Sequence, residues 1–216
     1  MGSMAARPSL ADAHPPMGLR ERKKLKTRLA IRRAAYRLIA ERGYEATTIE
    51  QIAEAAEVSP STVVRYFPAK EDIVLTDEYG PVAEALRARP AGEEPLDSLR
   101  AVFTEAVAGV LRREPELLRQ RAVLLARVPA VRARMTEAMA ESSRLLSQVL
   151  ADRTGRAADD LEVRVFTAAV MGALREVTVH WAERDQQDDL VALVDRAFDT
   201  LAARHPLEGA RAVSAP

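Results

Sequence analysis

Between residues 59 and 66 the chain carries Ser59, Ser61, Thr62, Arg65 and Tyr66, and between residues 20 and 33 it carries eight cationic side chains. Hydroxyl and guanidinium groups in such a cluster hydrogen-bond to base edges and phosphates, and a run of cations supplies charge for a polyanion. Nothing comparable exists for bond-making chemistry. Cysteine is absent, which excludes disulfides, thiolate metal sites and a cysteine nucleophile. His14, His180 and His205 are far apart and form no two-histidine metal motif. His180 stands beside Trp181 with Arg175 and Glu176 nearby, yet without a partner histidine, a serine elbow or a metal motif the set does not read as catalytic. The residues point to a binding protein rather than an enzyme, with no cofactor and no metal.

The charge distribution agrees. The net charge of zero conceals an asymmetry: residues 1–70 hold 13 Lys and Arg against 7 Asp and Glu, and residues 71–216 hold 19 against 25. A basic head on an acidic body is the footprint of nucleic-acid binding. The run Arg20, Arg22, Lys23, Lys24, Lys26, Arg28, Arg32, Arg33 could be a solvated helix face, as most charge runs are, but its place just before a helix-turn-helix favours phosphate contact. Lys23 and Lys26 are the candidates there, with Arg32 and Arg33 expected at the plain surface. No segment approaches ~18 uninterrupted apolar residues, so no membrane span is expected. The absence of a signal-peptide block suggests a cytoplasmic protein.

These groups are positioned by helices. Apolar residues recur at three and four spacing from Leu19 to Gly43, which stops the first helix. Thr47 or Thr48 can cap the second, with Gln51 three residues after Thr48 as a capping box. Ser59 and Pro60 open a third helix that runs to Phe67, and Pro68 halts it. Two short helices joined by a tight turn make a helix-turn-helix, with Ala53 and Val58 as its inner contacts. The amino end of the recognition helix enters the major groove first, which is where Ser59, Ser61 and Thr62 stand. Tyr36, Ile52, Val58, Phe67 and Tyr44 are expected in the small core. A fourth helix starts near Ala69-Lys70-Glu71-Asp72, and Gly80-Pro81 should break or kink it. Helices over 96–113, 116–128, 130–152, 159–184 and 188–204 follow, giving an all-α fold of about nine. The expected organisation is a disordered tail at 1–19, a DNA-binding domain at 20–68, an effector-binding and dimerisation domain at 69–204, and a tail at 205–216.

The segment 42–72 is more specific than its periodicity. Its Arg42-Gly43-Tyr44, Thr47-Thr48, Ile52-Ala53, Val58-Ser59, Tyr66-Phe67 and Lys70-Glu71 pairs resemble the amino-terminal signature of TetR-family (tetracycline-repressor-like) transcriptional regulators. The resemblance covers about residues 20–75. Asp77-Glu78-Tyr79 followed by Leu86-Arg87-Ala88-Arg89-Pro90 is similar to a subgroup that includes mycofactocin-system regulators. The resemblance implies an all-helical homodimer with one small effector pocket per subunit. It also implies DNA contacts from Thr47, Thr48, Pro60, Ser61, Thr62, Arg65, Tyr66 and Lys70, the last as a point charge on a phosphate. Two positions depart from the family pattern. Val64 stands where an aromatic is frequent, and Glu57 where glycine is frequent, at a cost of about 1 kcal/mol if that turn is left-handed.

The body offers Phe103, Arg121, Met135, Met139, Arg175 and Trp181 as candidate ligand contacts, with core packing the alternative for Trp181 and the methionines. Arg121 and Arg175 lie on otherwise apolar helices, so each pairs with a carboxylate or faces a ligand. Phe166, Val170 and Val177 on one long helix and Val191, Val194 and Phe198 on the next suggest a four-helix dimer interface. The expected function is a ligand-responsive, sequence-specific regulator that binds double-stranded operator DNA. In that reading it is a homodimeric repressor, and a small hydrophobic effector of unknown identity releases it. A DNA-binding activator or nucleoid-type binder without an effector is the alternative, and an enzyme with a DNA-binding head the last.

Overall fold

The computed structural model describes residues 18–75 and 79–203. The expected tails lie outside these residues except for positions 18 and 19, as do Asp77 and Glu78. All regular structure among the described residues is helical: α1 (Leu19–Arg42), α2 (Ile49–Ala55), α3 (Pro60–Tyr66), α4 (Lys70–Val74), α5 (Tyr79–Arg87), α6 (Pro95–Arg113), α7 (Pro115–Arg127), α8 (Pro129–Thr154), α9 (Leu161–Glu183) and α10 (Leu190–Ala202). The fold is all-α, as the periodicity predicts. One count differs: the helix expected to kink at Gly80-Pro81 ends earlier, at Val74, and Gly80 and Pro81 fall in the first turn of α5. Proline is tolerated there because the first amides of a helix have no intrahelical acceptor. The same rule explains why α6, α7 and α8 each begin on the proline itself, at Pro95, Pro115 and Pro129.

The chain divides into two compact units, Met1–Thr76 and Asp77–Pro216. In the first, Ile31, Ala34, Ala35 and Leu38 of α1 pack with Ile52 and Ala53 of α2, Val63 of α3, Phe67 and Ile73. Val58 and Tyr66 pack at the edge of this small core. Tyr36 is buried and its hydroxyl donates to the Val74 carbonyl at 2.9 Å, which ties α1 to the end of α4. Arg32, expected at the surface, is instead buried, whereas Arg33 is exposed. An arginine next to a core position can lay its aliphatic stem along apolar neighbours.

In the second unit the main core joins α5, α6, α8, α9 and α10 through Leu86, Leu99, Phe103, Leu146, Leu150, Val170, Met171, Val194 and Phe198. A smaller cluster of Ala122, Trp181, Ala182, Leu190 and Leu193 joins α7, α9 and α10. Arg153 of α8 fastens the α5–α6 corner: it donates to the carbonyls of Leu86, Arg89 and Pro90 and to the Ser98 hydroxyl. Beside it Glu93 accepts from Arg89 and from Ser98. No helix among the described residues is long and apolar enough to cross a membrane.

Candidate nucleic-acid interface

Local chemistry sets the helix-turn-helix. Thr48, not Thr47, caps α2: its hydroxyl accepts from the Gln51 amide while the Gln51 side chain accepts from the Thr48 amide. The pair satisfies two amides that a helix end leaves open. The Ala56 amide then bonds to the Ile52 carbonyl and the Val58 amide to the Ala53 carbonyl, and Glu57 between them takes φ of 55°. The left-handed turn that glycine would adopt freely is therefore held by a glutamate. Ser59 caps α3 by accepting from the Thr62 amide, and Pro60 occupies the first turn.

The Ser59 hydroxyl lies 2.9 Å from both the Ser61 and the Thr62 hydroxyl, so three hydroxyls form one chain at the amino end of the recognition helix. Pro60, Ser61, Val64 and Arg65 are exposed, and Thr62 and Tyr66 are half-buried. Val64, 49% exposed, adds an apolar group to this surface, of the kind that meets a thymine methyl. Arg65 lies 5.5 Å from the centroid of the Tyr66 ring, where stacking limits the guanidinium's freedom. Lys23, Lys26 and Thr48 are exposed.

Two expected DNA contacts are used differently. Thr47 is 1% exposed, and its hydroxyl donates to the Gly43 carbonyl at 2.8 Å. With the hydroxyl turned back on the end of α1, its side chain has no surface for a phosphate. The Lys70 ammonium donates to the carbonyls of Tyr44, at 2.7 Å, and Thr47, at 3.0 Å, and sits 4.0 Å from the centroid of the Tyr44 ring. The Tyr44 hydroxyl in turn donates to Glu71 at 2.5 Å. Burial, and then that bond to a carboxylate, push the Tyr44 phenol far above its ordinary pKa. Lys70, Glu71 and Tyr44 thus latch the start of α4 onto the turn between α1 and α2. Partners 23 and 26 residues away in the chain left no periodic signal by which the sequence could show this.

The candidate ligand contacts of the body fall into separate places. Phe103 belongs to the main core cluster, Met139 is half-buried against it, and Met135 is buried on α8. Trp181 lies in the smaller cluster, and its indole N–H donates to the Asp188 carbonyl at 2.9 Å. Arg175 lies 3.6 Å from its neighbour Glu176 at a partly exposed site. Arg121 is half-buried on α7 and makes no hydrogen bond or ion pair among the described residues. Of the expected partner-facing residues, Val170, Val194 and Phe198 are buried in the chain's own core, and Phe166 and Val177 pack against it. Val191 is half-buried. α9 turns a different apolar stripe outward, headed by Leu161 (70% exposed) and Val165 (57% exposed).

A basic head with a capped recognition helix and a separate helical body defines a DNA-binding regulator of helix-turn-helix type. Residues 31–76 match the family model of bacterial regulatory proteins, tetR family, and residues 93–206 match the MftR C-terminal domain. The chain belongs to the tetR family of DNA-binding transcriptional regulators. It is 35% identical over 207 residues to the HTH-type transcriptional regulator TcmR of Streptomyces glaucescens, covering 90% of this chain and 91% of that protein. It is 26% identical over 181 residues to the fatty acid metabolism regulator protein of Bacillus subtilis strain 168, covering 78% and 90%. Among solved structures it is similar to Thermus thermophilus FadR, a TetR family transcriptional repressor in complex with lauroyl-CoA. That similarity is 28% identity with a TM-score of 0.56 over 88% of this chain and 98% of that one.

Proposed function

We propose that the protein is a homodimeric repressor that a long-chain acyl thioester of coenzyme A releases from its operator. The observation that carries this reading is the half-buried, unpartnered Arg121 on α7, the helix whose Leu118 and Ala122 pack in an apolar cluster with Leu111, Val177, Leu190 and Leu193. A guanidinium held there favours an anionic group, and the aliphatic interior favours an acyl chain. The Thermus thermophilus relative, solved with lauroyl-CoA, supports the class. In the DNA-competent state the two recognition helices of the dimer would sit about 34–36 Å apart, one turn of the duplex. The effector shifts that state only by its differential affinity for the two conformations.

For the second copy the outward stripe of α9 is the favoured face. Leu161, Val165, Ala168 and Gly172 recur at helical spacing, and nothing lies within 4 Å of where a Gly172 Cβ would stand. Small residues let two such helices approach closely.

The test is anisotropy titration of an operator duplex obtained by in vitro selection, with lauroyl-CoA, coenzyme A alone, or a lipophilic cation added. Lauroyl-CoA should weaken binding tenfold or more, coenzyme A should leave it unchanged, and Arg121→Gln should blunt the response without altering the effector-free affinity. Release by the cation alone, or by none of the three, would overturn the effector assignment.

A further inference from the structure

α1 is longer than the head requires. Its first buried residue is Ile31, and residues 19–26 are all exposed. Over residues 19–28 it carries Arg20, Arg22, Lys23, Lys24, Lys26 and Arg28 against one acid, Glu21. This arrangement works against the helix itself. Arg20 and Lys24, Arg22 and Lys26, and Lys24 and Arg28 are like-charge pairs four residues apart, each unfavourable by a few tenths of a kcal/mol. Cations at an amino terminus also oppose the helix dipole, which favours anions there. Charge placed at the expense of helix stability makes sense if an external polyanion meets it.

The geometry says which face meets it. Stepping back from the buried residues Leu38, Ala35 and Ile31 by threes and fours leads to Arg28, then Lys24, then Arg20. The face that packs on the head thus continues, over a rise of about 12 Å from Arg28 to Arg20, as three cations in a row. Arg28 is held 5.0 Å over the ring of Phe67, the residue that ends the recognition helix. The row therefore starts at the carboxyl end of α3 and runs away from it. Lys23, three residues from Arg20, flanks the row, and the exposed Arg33 and Arg37 lie on the opposite side of the helix.

We propose that Arg20, Lys24 and Arg28 form a phosphate-binding rail that grips the DNA backbone outside the bases met by α3 and lengthens the operator each subunit covers. The rail rests on the reading of this chain as a DNA-binding regulator. Its contacts carry charge and no base specificity.

The experiment titrates the full-length protein against two selected duplexes at several salt concentrations, one trimmed to the recognition-helix sites and one with about ten further base pairs on each side. Each neutralised phosphate contributes about 0.9 to the salt slope. On the long duplex the Arg20→Gln/Lys24→Gln variant should lose about 1.8 from the slope per subunit, with base preference unchanged. On the trimmed duplex variant and wild type should converge. Arg33→Gln/Arg37→Gln, on the other face, should leave the slope unaltered. Thermal unfolding of Arg20→Gln/Lys24→Gln without DNA should be no earlier than that of the wild type, because like-charge repulsion is relieved. An unchanged slope, an equal loss on both duplexes, an equal effect of the Arg33/Arg37 pair, or displacement of the long duplex by phosphatidylserine vesicles would each overturn the rail. Failure of the wild type to bind any duplex would instead overturn the DNA-binding reading on which it rests.

Discussion

Lys70→Met separates positioning from phosphate contact. Methionine keeps the stem against Tyr44 and removes only the ammonium. The structure gives that ammonium two carbonyl acceptors, at 2.7 and 3.0 Å, and the face of the Tyr44 ring at 4.0 Å. A hydrogen bond to a charged group contributes about 1.5–3 kcal/mol and an exposed cation–π contact about 0.5–1. Two such bonds and the ring contact would total about 3.5–7 kcal/mol unscreened, but Lys70 is half-buried, so solvent screening brings the loss below that range, to about 2–3 kcal/mol. The loss should appear as a lower urea midpoint for the head and faster amide exchange over residues 44–48. Operator affinity should fall because the turn before α2 loosens, while the salt slope and the base preference stay as in the wild type. A phosphate contact would behave oppositely: the slope would drop by about 0.9 per subunit with stability intact. That second pattern would refute the latch.

Further outcomes follow from other residues. Glu57→Gly should stabilise the head by about 1 kcal/mol by chemical denaturation, since φ of 55° is strained for a glutamate and free for glycine. The Arg89 guanidinium, then the Ser98 hydroxyl, hold the Glu93 carboxyl down to about 2 from an ordinary 4.5. With the folded value the lower one, its contribution is present above pH 4.5 and lost as pH falls toward 2, so Glu93→Gln should flatten the fall of the thermal midpoint over that window. The Thr104 hydroxyl is buried without a hydrogen-bond partner among the described residues, whereas the Thr167, Thr178 and Thr200 hydroxyls donate to the carbonyl four residues back. Thr104→Val should therefore raise stability by about 1 kcal/mol in a denaturant titration. Val165→Glu should give monomers in sedimentation with the fold retained, whereas Val170→Glu should unfold the body. Intact dimers of Val165→Glu would remove the outward stripe of α9 from the interface.

Most of the helices and their ends were legible in the residues because the interactions that set them are local, whereas the break between α4 and α5 was not. The Thr48–Gln51 box, the Ser59 cap with Pro60, the Gly43 stop and the prolines at 95, 115 and 129 all act within one turn of the chain. The hydroxyl cluster of the recognition helix was legible for the same reason. Which stripe of a helix faces inward was not. Val165 and Val170 are equally apolar residues on α9, and only packing against α7, α8 and α10 leaves one exposed and the other in the core. Thr47 and Thr48 are adjacent and chemically alike, and the path of the chain after Gly43 decides that one is buried against a carbonyl and the other caps α2. Lys70 was legible as a cation beside a helix start, but its acceptors are carbonyls that the fold brings in from residues 44 and 47. A side chain's reach of several ångströms is decided by what tertiary structure places within it, and residue spacing along the chain does not encode that.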